Sequence, residues 1–254
     1  MKTGITSTKK LVFSANMKLA DVIHSNYLLI PIIGRFGIEL GFGNKTVKEI
    51  CDEKNLEHLF FLEILNSYHN SDYFAENLFE RYPLALIISY LRNTHHYYRT
   101  IKIPELEEMV EQFLHSSSNE NKSNNELIAN FFNDYKQELV RHLHQEDDHL
   151  FPYTTELEEA LRLGQYSSKL ISKIKANHTQ HNDEDHNHLE EKLFDLKNLI
   201  IKFLPPVKRG DILEKLLIEL FRLENDLNDH SRIEDKVLIP KVIFLENKIL
   251  ELGE

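Results

Sequence analysis

Apolar residues recur at steps of three and four along most of this chain. Between 211 and 250, Leu216, Leu220, Leu223 and Leu227 are spaced by 4, 3 and 4. Between 124 and 150, Ile128, Phe132, Tyr135 and Leu139 repeat the same steps. The stretch 166–204 carries Leu189, Leu193, Leu196, Ile200 and Phe203. The stretch 84–114 carries two such sets, Leu84–Ile88–Leu91 and Ile103–Leu106–Val110. This spacing lines one face of an α-helix, so each stretch predicts a long amphipathic helix. Four long helices with short connections predict an antiparallel bundle, and the fold class expected is all-α.

A shorter helical pattern precedes the bundle. Helices are expected over about 20–29, 46–54 and 56–67, with a turn at Gly41-Phe42-Gly43-Asn44. Thr46 followed by Glu49 reads as a capping box. The polar stretches 69–83, 115–125 and 205–211 read as links. The expected organisation is a disordered lead over 1–16, a small helical domain over 17–68, a linker over 69–83 and the bundle over 84–250.

Composition narrows the function. Only 8 Gly and 7 Pro occur in 254 residues, which suits long elements rather than many short strands. The net charge of −11 argues against nucleic acid and anionic membrane surfaces as partners. Cys51 is the only cysteine, so neither an internal disulfide nor a thiolate zinc site is available. No apolar run is long enough for a signal peptide or a spanning helix, so a cytoplasmic protein is expected.

The chemistry lies in an internal repeat. His142-Leu143-His144-Gln145-Glu146-Asp147-Asp148-His149-Leu150-Phe151-Pro152 matches His230-Ser231-Arg232-Ile233-Glu234-Asp235-Lys236-Val237-Leu238-Ile239-Pro240 at a constant offset of 88. The shared pattern is His-x-x-x-Glu-Asp-x-x-Leu-apolar-Pro. Residues four apart share a helix face, so each copy points an imidazole and a carboxylate the same way. The apolar stripes of both helices run straight into these residues, which places them on the core seam. A buried carboxylate costs several kcal/mol unless compensated, and two of them repel. A bound cation removes both penalties.

The other two helices offer further histidines. On the third, stepping back from Leu189 lands on His186; His178 and His181 are less well phased, and His188 falls on the solvent side. On the first, His95 continues the Leu84 stripe, while His96 and Arg99 continue the Ile103 stripe. Periodicity leaves that choice open, and Pro104 is expected to shift the phase between the two stripes. His149, one turn below Glu146, is assigned to the helix surface. Imidazole and carboxylate without thiolate suit iron, manganese or zinc.

At these residues the chain resembles the hemerythrin-like superfamily. It is most similar to the di-iron iron–sulphur cluster repair proteins, also described as regulators of cell morphogenesis and nitric oxide signalling. The resemblance spans about 18–246 and rests on both repeat copies, on His95-His96-Tyr97-Tyr98-Arg99 before Ile103-Pro104, and on the spacing from His186 to Pro205-Pro206. It implies two iron ions held by His96, His142, Glu146, His186, His230 and Glu234. Both glutamates would bridge the irons, with Glu138 and Asp185 close by. Zinc or manganese are alternative occupants.

The resemblance also implies repair of iron–sulphur clusters damaged by nitrosative or oxidative stress. The expected partners are O2 or NO and damaged iron–sulphur proteins, and a homodimer is a possible assembly. Capture or sensing of a diatomic without repair is the alternative, and a purely bracing metal is a third. The chain departs from the family in one respect. Gly41-Phe42-Gly43-Asn44 stands where the family carries a Cys-Cys-Gly-Gly turn, so a thiol step is in question.

Overall fold

The computed structural model describes residues 11–73, 81–116, 122–177, 184–203 and 212–253; the side chains of 116, 122–124, 177, 184–187 and 203 lie outside that description. The chain divides into two compact units, 1–82 and 83–254.

The first unit holds four short helices, α1 Leu19–Ser25, α2 Leu29–Arg35, α3 Val47–Glu53 and α4 His58–His69. The single helix expected over 20–29 is split. The Asn26 side-chain oxygen accepts the Leu28 N–H at 3.1 Å, a local bond that competes with helix continuation. Before α3, Gly41 and Gly43 take φ of +102° and +69°, a conformation that glycine adopts without a Cβ penalty. The Thr46–Glu49 capping box then starts α3. Leu19, Val47, Phe61, Ile64 and Leu65 form its fully buried centre.

Of the stretch 1–16 expected to be a disordered lead, residues 1–10 lie outside the described residues. Phe13 is buried, and its backbone is clamped by Asn66: Phe13 N–H donates to Oδ1 at 2.7 Å, and Asn66 Nδ2 donates back to the Phe13 carbonyl at 3.2 Å. These bonds satisfy a buried amide side chain, which explains why Asn66 is tolerated inside the unit.

The second unit is all-α, built from four rods. The first runs Leu84–Tyr97, then a π-helical turn Tyr98–Lys102, then Ile103–Ser116. The second runs Lys122–Gln145, a π-turn Glu146–Leu150, then Phe151–Leu163. The third comprises Ser168–Asn177, Glu184–Asn198 and a π-turn Leu199–Phe203. The fourth runs Ile212–Ile233, a π-turn Glu234–Leu238, then Ile239–Gly253. The second rod extends well past 150, where the sequence pattern was expected to stop, and ends on left-handed Gly164.

Proline explains the π-turns. In three rods a proline stands two residues beyond the turn, Pro104, Pro152 and Pro240; Pro205 follows the third turn at the same distance in the sequence but lies outside the described residues. A proline inside a regular helix lacks its N–H, and its ring presses on the carbonyl four residues back. Widening the preceding turn absorbs the conflict. Ile103, Phe151 and Ile239 then donate five residues back, to Tyr98, Glu146 and Glu234. Each widened turn adds one residue, which rotates the chain on one side relative to the other by roughly 100°.

Above the π-turns, Tyr135, Leu139, Leu193, Leu196, Leu220 and Leu223 contribute to one continuous apolar core. Leu220 is fully buried there, so Leu220→Ala is expected to destabilise the bundle by about 2–5 kcal/mol, read from urea unfolding. A loss under about 1 kcal/mol would show that this core is loosely packed. Among the described residues, no helix is long and apolar enough to cross a membrane.

Candidate metal centre

Where the second and fourth rods enter their π-turns, the apolar core gives way to a polar cluster. His95, Glu146, His230 and Glu234 are all buried, and each offers one ligand-type atom within 4.8 Å of the others. His95 Nε2 lies 3.1 Å from His230 Nε2, 3.4 Å from Glu146 Oε2 and 3.7 Å from Glu234 Oε1. His230 Nε2 is 3.2 Å from the same Glu234 oxygen. Two ring nitrogens and two carboxylate oxygens from three rods therefore converge on one point.

The repeat places these groups as the spacing predicts. His142 and Glu146 face each other along the second rod, with His142 Nε2 3.4 Å from Glu146 Oε1. That is the opposite oxygen from the one beside His95. Glu146 thus looks two ways, into the buried quartet and towards His142.

On the first rod the structure departs from the expectation. His96 is exposed and His95 is fully buried. The π-turn is the cause. Stepping back from Leu106 and Ile103, the seam crosses the widened turn by five residues to Tyr98, then continues to His95 and Leu91, all of them buried. A regular helix would have stepped to Arg99 and His96 instead. The phase shift expected of Pro104 decides the pair for His95.

Two residues the sequence reading missed hold His95 in place. Asp147 Oδ1 lies 3.1 Å from His95 Nδ1, and Arg99 Nη1 donates to Asp147 Oδ2 at 2.7 Å. With Nδ1 engaged by Asp147, Nε2 faces the cluster, where its lone pair becomes available to a cation once the ring is neutral. The ring also stacks on Phe151 at 5.3 Å, and Tyr98 sits edge-on to His230 at 5.7 Å. The signal for Asp147 was present, since Glu-Asp occurs in both repeat copies. Its target on another rod was not legible.

The remaining candidates are placed as follows. Glu138 is engaged by Lys192, by His188 at 2.6 Å and by Arg141 at 3.8 Å, an ion-pair group rather than a support for the quartet. His188 is exposed, as is His149, whose Glu-x-x-His spacing from Glu146 therefore brings it no closer to the cluster. The side chains of Asp185 and His186 lie outside the described residues, and so do His178 and His181. Cys51 is fully buried in the first unit.

Electrostatics favour a cation here. Burial disfavours ionised Glu234, yet His230 and then His95 hold its carboxyl well below the usual range. Burial likewise opposes protonation of His95, but Asp147, Glu234 and Glu146 outweigh it and raise the imidazole to about 9. Without metal, the site thus compensates its buried negative charge by holding a proton. His230 Nδ1 is buried without a hydrogen-bond partner. A donor set of two imidazoles and two carboxylates, already desolvated and convergent, fits a first-row divalent ion.

A pH dependence follows for the metal-free protein. A histidine raised from its ordinary 6.5 to about 9 contributes stability in full below 6.5, and that stability is lost as pH rises through 9. The metal-free Tm is therefore expected to fall across this window, and Asp147→Asn to shrink the fall. A wild-type Tm that stayed level from pH 6.5 to 9 would refute the arrangement.

A small pocket of about 30 Å³ adjoins the cluster, with His142 and His230 beside it and Leu139, Leu143, Leu193 and Leu227 among its walls. Comparison with known proteins agrees with this geometry. Residues 86–242 match the family model described as the hemerythrin HHE cation binding domain. The iron-sulfur cluster repair protein ScdA of Staphylococcus haemolyticus (strain JCSC1435) is 23% identical over 234 residues, spanning 88% of this chain and 96% of that protein.

Proposed function

Because the chain belongs to the hemerythrin family of cation-binding domains, we propose that it carries two iron ions and takes part in repairing iron–sulphur clusters damaged by nitrosative or oxidative stress. The proposed ligands are His95, His142, Glu146, His230 and Glu234, with His186 from the third rod. His95 takes the place that the resemblance gave to His96. Iron so held supplies a centre that binds small diatomics such as O2 and NO and exchanges with solution. The likeness to the repair protein supports the reading because it spans the small first unit as well as the bundle. Cytoplasmic action on damaged iron–sulphur proteins is the proposed setting.

The observation that carries a two-ion reading is Glu146. One of its oxygens lies in the buried quartet and the other faces His142. A single ion uses only one of these sides, whereas a carboxylate between two ions uses both. The protein supplies the rest. Asp147 and Arg99 fix the His95 ring, Phe151 and Tyr98 exclude water, and the leucine walls admit small uncharged molecules.

Repair by this chain would proceed without a cysteine pair. Burial, then Asp52 and Glu57, push the Cys51 thiol up to about 12, so it is neither a nucleophile nor a ready ligand. The missing thiols and the leucine-lined pocket favour a second reading, capture or sensing of a diatomic without repair.

Two measurements test these readings. Protein loaded anaerobically with Fe(II) should hold two irons per chain, and oxygen exposure should produce the near-ultraviolet absorption of a bridged di-iron centre. Incubation with an iron–sulphur enzyme inactivated by NO should then restore that enzyme's activity. Two irons without restoration would leave the sensing reading; fewer than two would remove the di-iron reading.

A further inference from the structure

We propose that the outer face of the first rod, along Arg92, His96 and Arg99, docks an acidic one-electron carrier protein, and that electrons reach the metal centre through His95. The inference rests on the iron reading above, since zinc would take no electron.

Charge is segregated on this rod. The chain carries 41 Asp and Glu against 30 Lys and Arg, yet no acidic residue falls between Arg81 and Pro104. Arg92, His95, His96, Arg99 and Lys102 all do. Lys102 turns inward to Glu105 and Glu219. Arg92, His96 and Arg99 are spaced by 4 and 3, so they share one helix face. Arg92 and His96 are exposed, and the Arg99 side chain is 25% exposed.

Both guanidiniums lead to the same buried histidine. Arg92 lies over the Phe151 ring, 5.8 Å from its centroid, and that ring stacks on His95 at 5.3 Å. Arg99 donates to Asp147 at 2.7 Å, and Asp147 lies 3.1 Å from His95 Nδ1. His95 Nε2 faces the quartet from the other side of the ring. The two arginines stand about 10 Å apart along the helix axis. A carrier seated across them is one side chain away from a proposed metal ligand.

The charges say what the strip suits. Asp147 neutralises Arg99, and Asp148 is exposed beside it. Among the described residues Arg92 meets no carboxylate and touches only the Phe151 face. An uncovered guanidinium is a bidentate partner for a carboxylate. The chain as a whole, at −11, repels an acidic carrier, so its approach is productive on this face. The step is a single electron transfer. The reduced carrier loses one electron, one ferric ion of an oxidised centre becomes ferrous, and no group is transferred.

Two reductants test this on the iron-loaded, air-oxidised full chain: reduced flavodoxin, a small acidic flavin protein, and reduced methyl viologen, a small cation. In stopped-flow mixing, electron loss from flavodoxin should slow as salt is added. Without a docking strip the two acidic proteins would repel, and salt would speed the reaction instead. Arg92→Glu should slow the flavodoxin reaction about tenfold and leave the viologen reaction no slower. The same substitution should weaken binding of oxidised flavodoxin to the metal-free chain, read by calorimetry.

A flavodoxin rate that rose with salt, or that Arg92→Glu left unchanged, would overturn the inference. Equal slowing of both reductants would also overturn it, since that reports damage to the centre rather than lost docking. A chain that takes up no iron would remove the reading beneath the transfer step, while binding to the metal-free chain would still decide the docking face.

Discussion

His95→Ala should strip the protein of most of its bound metal, while His96→Ala should leave the metal content as it is. The two residues are adjacent and chemically identical, so the contrast isolates position. His95 is fully buried, with Nε2 3.1–3.7 Å from a second imidazole and two carboxylates. His96 is exposed. Deleting a supporting partner typically lowers metal affinity by about 10–100-fold, and deleting a ligand should cost at least the upper end of that range. Iron per chain after desalting reads the effect, with circular dichroism to verify that both variants keep their helices. Retention of metal by His95→Ala together with its loss in His96→Ala would overturn the assignment of His95 to the buried seam.

Glu234→Gln should abolish metal-induced stabilisation while leaving the metal-free fold intact. The Glu234 carboxylate is 1% exposed and faces both His230 and His95. In wild-type protein, an ion at a hundred times its dissociation constant stabilises the fold by about 2.7 kcal/mol, seen as a higher Tm. Glutamine preserves the shape but offers a neutral, weaker donor, so that rise should disappear. At neutral pH the metal-free variant should be less stable than metal-free wild type, because the carboxylate that His230 and His95 hold ionised is gone and protonated His95 loses a buried partner. If Glu234→Gln kept the full metal-dependent rise in Tm, the quartet would not be the site.

Both predictions turn on features that helical periodicity resolves unevenly. The stripe through Leu216, Leu220, Leu223 and Leu227 runs into His230 and Glu234 because a regular helix carries one phase for many turns. The seam was therefore readable up to the first irregular turn. Beyond each proline it was not, since a π-turn inserts one residue without changing the composition. His95 and His96 show the consequence, for the sequence offered two phases and only the widened turn selected between them. The second rod shows the same limit in length. Pro152 resembles a stop, yet after a π-turn it sits at the start of a new regular segment and the helix continues to Leu163.

Asp147 and Glu138 mark another boundary. Both are acidic residues near the repeat, and nothing local separates them. Asp147 reaches a histidine 52 positions away, while Glu138 meets Lys192 and His188 on the third rod. Such pairings depend on which rods are neighbours and how they are rotated.

The sequence by itself determined the all-α class, the four amphipathic rods and the two His-x-x-x-Glu pairs that end their core-facing stripes. These follow from spacing along a helix, which is a local property of the chain. Only the tertiary structure decided that His95 completes the quartet, that Asp147 and Arg99 orient it, and that His142 is more open than its repeat partner His230. Those outcomes depend on the rotation imparted by the π-turns and on contacts between distant segments, and neither is encoded within one helical turn.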